Sequence, residues 1–124
     1  MPPKVLVIDD DELALRLFET VIAGLGCDVL STADGPQGLE LFRKKKPDLV
    51  VLDLALPTMN GLEVLRELRK LDDHVKIMVV TGYGSDESAE VAARYGVREF
   101  IIKPIDRADF SDRINAAFRK TVEH

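Results

Sequence analysis

Three features of the chain predict an α/β fold with one parallel sheet and helices on both of its faces. Five short, β-branched apolar runs alternate with five stretches of helical periodicity from end to end. Glycine, proline and clustered cations fall where the helical stretches should stop. The first and third runs are the most continuously apolar, which places them centrally, and the second carries polar residues, which places it at an edge.

The elements follow in order. The run "KVLVI" (4–8) is the first strand, and the helix after it covers 11–24, with Leu13, Leu17, Val21 and Leu25 at helical spacing and Gly26 at its end. "DVLST" (28–32) is the second strand. The helix at 36–46 closes on Arg43 to Lys46, cations that complement the helix dipole, and Pro47 blocks continuation, so capping explains that basic run better than an anion site does. "DLVVLD" (48–53) is the third strand, followed by a helix at 61–71 carrying Leu62, Leu65 and Leu68. "KIMVVT" (76–81) precedes a helix at 85–95 that ends near Gly96, and "EFIIK" (99–103) precedes one at 106–121. With right-handed crossovers this gives strand order 2-1-3-4-5 in a single doubly wound domain over 1–124, without repeat or linker.

Bulk properties narrow the function. A chain of 124 residues fits one domain and buries about two-thirds of its unfolded surface. A net charge of −5 argues against nucleic-acid binding through its own surface. Cys27 is the only cysteine, so no internal disulfide can form; a buried inert thiol and a reducing, cytoplasmic setting are expected. "MPPKVLVIDD" lacks the apolar core of a signal peptide, and no apolar run is long enough to span a bilayer. The final "VEH" reads as native or as a tag remnant.

The stretch "VLVIDDDE" (5–12) runs from a buried strand straight into four acids, and adjacent carboxylates resist joint ionisation. In a parallel sheet all strands end along one edge. The first brings Asp9 and Asp10 there, the third Asp53, the fourth Thr81 followed by Gly82, and the fifth Lys103 followed by Pro104. Clustered carboxylates beside a hydroxyl and an ammonium suit a hard divalent cation such as Mg²⁺ (or Mn²⁺), which offsets their repulsion and screens an incoming phosphoryl group. Asp11 and Glu12 read as the start of the first helix, and His74 in "LDDHVK" as a solvated loop histidine.

"VIDDDE", "VVLDLALPTMNGLEVL", "VVTGYG" and "EFIIKPI", in this order and spacing, make the chain resemble a response-regulator receiver domain over essentially its whole length. The resemblance implies a flavodoxin-like (βα)5 fold and a signalling domain of a two-component pathway. Its only chemistry would be its own aspartyl phosphorylation and dephosphorylation. Asp53 would accept a phosphoryl group from a phosphohistidine of a partner histidine kinase or phosphotransfer protein. Asp9, Asp10 and Asp53 would hold Mg²⁺, one of the first two through water, with the Ala55 backbone carbonyl as a further ligand. Lys103 would pair with Asp53 and then with a phosphoryl oxygen, while Thr81 and nearby N–H groups would bind the other oxygens. Gly61 would permit a tight turn into the third helix and Pro57 would stiffen the loop after the acceptor. The Lys103–Pro104 bond is usually cis in this family, an isomer that sequence alone does not reveal.

The resemblance also implies a switch. Thr81 would shift towards the phosphate and Phe100, where many relatives carry tyrosine, would turn inward; simple packing against the fourth helix is the other reading of Phe100. The face made by the fourth helix, fifth strand and fifth helix would then bind a downstream partner or output domain, or a second copy. Ala55 and Tyr83 occupy the positions that tune phosphate lifetime, where they suggest slow loss or are neutral loop residues. No output domain is expected within these 124 residues.

Three alternatives fit parts of the pattern. A receiver-like interaction module that no longer uses phosphate is opposed by the intact chemical positions. A small phosphatase of the haloacid-dehalogenase type would use Asp9 as nucleophile and Asp11 as acid/base, but Glu12 follows and a late acidic pair is missing. A flavin carrier would need a phosphate-binding loop after the first strand, where the acids stand instead.

Overall fold

The structure, a computed structural model, describes residues 2–119. Five parallel strands form one sheet: β1 (Lys4–Ile8), β2 (Asp28–Thr32), β3 (Leu49–Leu52), β4 (Lys76–Thr81) and β5 (Glu99–Ile102), in the order β2-β1-β3-β4-β5. Each is followed by a helix: α1 (Glu12–Gly24), α2 (Gly35–Lys45), α3 (Gly61–Leu71), α4 (Asp86–Arg94) and α5 (Arg107–Phe118). The predicted architecture and strand order are those observed.

The strands alternate their side chains between two cores. Val5, Val7, Leu49, Val51, Met78, Val80 and Ile101 face α1 and α5, where Phe18 and Phe110 stack with ring centroids 4.4 Å apart. Leu6, Ile8, Val50, Leu52, Ile77 and Val79 face α2, α3 and α4, against Phe42, Val64, Leu65, Leu68 and Ala92. β1 and β3 are buried on both faces, which explains their unbroken apolar runs.

The helix starts are written by short polar side chains. Asp11, Asp34, Asn60, Ser85 and Asp106 each cap the helix that follows, accepting from its first-turn N–H groups. Such a cap contributes about 1 kcal/mol. Gly26 and Gly96 follow α1 and α4 at φ +85° and +71°. Lys46 closes α2 in the left-handed region at φ 49°, an uncommon conformation for a residue with a Cβ.

Four expectations need adjustment. α5 starts at Arg107 and stops at Phe118, because Asp106 is its cap and Arg119 is extended; of the predicted 106–121 span, 120 and 121 lie outside the described residues, as does "VEH". β3 and β5 end one residue earlier than predicted, so that Asp53 and Lys103 stand just beyond the strands rather than in them. Gly61 is the first residue of α3 and has no left-handed φ. Glycine is needed there because a Cβ would lie 2.3 Å from Leu54 Cα and 2.8 Å from the Asp53 carbonyl oxygen. Cys27 is half-buried rather than buried; burial and the nearby Asp28 and Asp48 charges hold its thiol in the unreactive form, above the usual range.

Candidate functional site

The sheet ladder itself sets the site. One residue past the strands, Asp9 N–H donates to the Thr32 carbonyl (3.0 Å), Asp53 N–H to the Ile8 carbonyl (2.9 Å) and Lys103 N–H to the Thr81 carbonyl (2.8 Å). These bonds hold three strand ends level, so Asp9, Asp53, Thr81 and Lys103 meet at one edge. Asp9, Asp53 and Thr81 are buried, and Asp10 is exposed beside them. The carboxylate oxygens of Asp9, Asp10 and Asp53 include a set lying within 4.8 Å of one another.

Lys103 is the cation of this cluster. Its Nζ lies 2.9 Å from Asp9 Oδ2 and 2.9 Å from Asp53 Oδ2. The Lys103–Pro104 bond is cis. Asp53 Oδ1 accepts from the Ala55 N–H (3.0 Å), and Asp9 Oδ1 from the Asp11 N–H (2.8 Å). Asp9 Oδ2 is buried, and the Lys103 ammonium at 2.9 Å is its ion-pair partner there.

The two buried acids behave oppositely. Burial pushes the Asp9 carboxyl up to about 6, aided by the Asp53 charge and opposed by Lys103 and the Asp11 N–H. Burial also works against ionisation of Asp53, but the Ala55 N–H, the Thr81 hydroxyl and Lys103 together hold it below the usual carboxylate range. Burial disfavours the Lys103 ammonium too, yet Asp9 and Asp53 outweigh that and raise it. One ammonium thus faces three carboxylates. The excess negative charge and the all-oxygen donor set of Asp9, Asp10 and Asp53 fit a hard divalent cation.

A cavity of about 410 Å³ opens above the cluster, lined by Asp10, Asp53, Ala55, Pro57, Tyr83 and Lys103 among others. Of the residues expected at the site, Asp10, Asp53, Ala55, Pro57, Tyr83 and Lys103 line this cavity, and Asp9 lies below it, 2.9 Å from the Lys103 ammonium. Tyr83 is 76% exposed at its mouth, and Phe100 is half-buried on β5 against the α4-side core. Asp11 caps α1 through Oδ1, accepting from the Leu13 and Ala14 N–H groups, while its Oδ2 stays at the cavity wall, 4.0 Å from the Lys103 ammonium.

Two arrangements escaped sequence reasoning. Thr58 in the loop after β3 donates to Asp34 Oδ1 (2.6 Å), which with the Gln37 N–H holds the Asp34 carboxyl below its usual range. Asp34 before "GP" signals a helix cap, but nothing in the sequence signals Thr58. Arg69 donates to the carbonyls of Tyr95, Asp72, Val75 and Gly96, tying the end of α3 to the end of α4. On sequence it is simply a cation in the last turn of a helix.

A doubly wound sheet of this order with an acid cluster at the carboxyl ends of its strands defines an α/β domain whose candidate cation site sits where such folds bind ligands. Residues 5–115 match the family model described as the response regulator receiver domain, and the chain belongs to that family. It is a receiver domain of two-component signalling, and receiver domains bind Mg²⁺. It is 37% identical over 94% of its length to "Probable transcriptional regulator ycf27" of Porphyridium aerugineum, covering 48% of that protein. It is 32% identical to the polar-differentiation response regulator DivK of Brucella anthropi, over 94% of this chain and 96% of that one. The chain thus spans about half the length of the transcriptional regulators it matches and nearly all of DivK. Among solved structures, the CheX–CheY–BeF3–Mg complex of Borrelia burgdorferi superposes with a TM-score of 0.89 at 25% identity, over 97% of this chain and 92% of that one.

Proposed function

We propose that this receiver domain is switched by phosphorylation of Asp53. The donor is a phosphohistidine on a partner histidine kinase or phosphotransfer protein. The observation that carries the reading is the Lys103 ammonium shared at 2.9 Å between buried Asp53 and Asp9, beneath a solvent-open cavity. A carboxylate held ionised in a pocket with a fixed cation is a nucleophile awaiting an electrophile that brings its own negative charge.

In the transfer an Asp53 oxygen attacks phosphorus, the P–N bond of the phosphohistidine breaks, and the imidazole leaves with the electron pair. Asp9, Asp10 and Asp53, with the Ala55 carbonyl, are the groups that would hold Mg²⁺ or Mn²⁺. When bound, the ion neutralises charge on the phosphoryl oxygens. Lys103 holds Asp53 in place beforehand and then takes a phosphoryl oxygen. The Thr81 hydroxyl and the N–H groups after β3 and β4 receive the remaining oxygens, so catalysis is positioning and charge balance.

The product carries nearly two added charges at Asp53. Thr81 moves towards them, Phe100 fills the space it leaves, and the α4–β5–α5 face presents a new surface to a downstream partner, an output domain or a second copy. The response is only as large as the difference in affinity of that partner for the two states. Phe100 has no hydroxyl, so its state is read through packing alone. Ala55 offers no polar side chain to orient an attacking water and Tyr83 stands at the cavity mouth, which together favour a slowly lost phosphate. The reading carries with it a cytoplasmic setting; among the described residues no helix is long and apolar enough to cross a membrane.

Intact-mass measurement after incubation with acetyl phosphate tests the reading. Wild type should gain one phosphoryl group with Mg²⁺ and none in EDTA, and Asp53→Asn should gain none. A gain that persists in Asp53→Asn would overturn the acceptor assignment and move attention to Asp9.

A further inference from the structure

The loop joining β3 to α3 forms one wall of the acidic cavity, through Ala55, Leu56 and Pro57. Its stem is closed by the Gly61 N–H donating to the Leu54 carbonyl (3.0 Å). Its tip is held from outside, by the 2.6 Å bond from the Thr58 hydroxyl to Asp34 Oδ1. Asp34 is itself fixed: Oδ2 accepts from the Gln37 N–H (2.9 Å), and its own N–H donates to Thr32 Oγ1 (3.2 Å). The buried Thr32 hydroxyl donates to Gln37 Oε1 (2.6 Å), and the Thr32 carbonyl accepts from Asp9 N–H (3.0 Å). Linked bonds therefore run from the loop tip, through the start of α2, back to the backbone of Asp9.

The packing agrees. Gly35 begins α2 beside this bond, and a Cβ there would lie 3.2 Å from Met59 Cβ and 2.9 Å from Val64 Cγ2. The missing side chain lets the loop seat directly against the helix start.

We infer that Thr58 and Asp34 are positioning residues for the phosphoacceptor site: their hydrogen bond sets the β3–α3 loop so that the Ala55 backbone meets the cation and Asp53. The inference rests on the proposed Mg²⁺-dependent phosphorylation of Asp53. A hydroxyl bonded to a carboxylate is a charge-assisted bond, but Thr58 is exposed and Asp34 only half-buried, so water competes and loss of the bond should weaken the site by about three- to tenfold.

The test compares wild type with Thr58→Val, which keeps the shape and loses the donor, and with Thr58→Ser, which keeps the donor. Mg²⁺ affinity is measured by calorimetry, the Ala55 amide by ¹⁵N NMR, and the initial rate of phosphorylation against acetyl phosphate concentration. Urea unfolding in EDTA reports stability separately. The expected result is an Mg²⁺ Kd raised about three- to tenfold in Thr58→Val, a displaced Ala55 amide and a matching loss of rate, with Thr58→Ser close to wild type. An Mg²⁺ Kd and Ala55 amide unchanged in Thr58→Val, while wild type binds the ion, would overturn the brace alone. Equal weakening in Thr58→Ser would also overturn it, since the donor would then be irrelevant. Wild type that neither binds Mg²⁺ nor takes a phosphoryl group would overturn the brace together with the reading beneath it.

Discussion

Replacing Asp9 with asparagine should stabilise the metal-free protein at neutral pH, although it deletes half of an ion pair. The Asp9 carboxyl is raised from 3.8 to about 6 in the fold, chiefly by burial. That displacement corresponds to about 3 kcal/mol. The folded value lies above the unfolded one, so the contribution of this group to stability is fully present below pH 3.8 and is lost as pH rises through about 6. At pH 7.5 the metal-free protein therefore carries most of that penalty. Asparagine resembles the protonated acid, can still accept from the Asp11 N–H through Oδ1, and leaves Lys103 paired with Asp53. In EDTA at pH 7.5, Asp9→Asn should be more stable than wild type by up to about 3 kcal/mol, and the gain should vanish near pH 4. With Mg²⁺ the order should narrow or reverse, because wild type gains by mass action and the variant binds the ion poorly. The chain has no tryptophan, so urea unfolding is followed by far-UV circular dichroism. A variant no more stable than wild type at pH 7.5 in EDTA, or a gap constant between pH 4 and 7.5, would refute the reasoning.

Other perturbations separate the remaining forces. Lys103→Met should destabilise the metal-free protein by roughly 3 kcal/mol, because it leaves Asp9 and Asp53 buried without a cation, and should do so less at pH 4 than at pH 7.5, as urea unfolding will show. Gly61→Ala should lower stability by about 1–3 kcal/mol in the same assay, since its Cβ would press on the Leu54 backbone rather than on a movable side chain. Arg69→Gln should speed amide hydrogen exchange at the carboxyl end of α4 and lower stability by about 1–3 kcal/mol, and Arg69→Lys should rescue it poorly, because one ammonium cannot reproduce the forked donors that reach four carbonyls.

The legible part of the fold is the part built on period and punctuation. Val5 to Ile8 and Leu49 to Leu52 are unbroken apolar runs because both faces of those strands are covered, and that continuity is visible in the sequence. A parallel sheet then sends Asp9, Asp53, Thr81 and Lys103 to one edge without further information. What stays hidden depends on contacts between residues far apart in the chain. Gly61 reads as a turn residue, and only the nearness of the Leu54 backbone reveals that space, not φ, excludes a side chain. The carbonyls that Arg69 binds belong to backbone whose position the sequence does not encode locally. Thr58 and Asp34 are 24 residues apart in two loops, and a threonine in a polar loop carries no sign of its partner. The opposite behaviour of Asp9 and Asp53 is hidden for a similar reason: both follow buried strands, and it takes the burial of Asp9 beside the Asp53 charge, and the Ala55, Thr81 and Lys103 donors around Asp53, to push them apart.

The central claim is that Asp53 itself becomes an acyl phosphate. The most direct measurement is to load the protein with acetyl phosphate and Mg²⁺, reduce it with borohydride, and read the peptide spanning residue 53 by tandem mass spectrometry. An aspartyl phosphate is reduced to homoserine, so the account predicts homoserine at position 53 in the Mg²⁺ sample and unmodified Asp53 in EDTA. Homoserine at position 9 or 10 with Asp53 intact, or a phosphate on a serine or threonine that resists reduction, would contradict it.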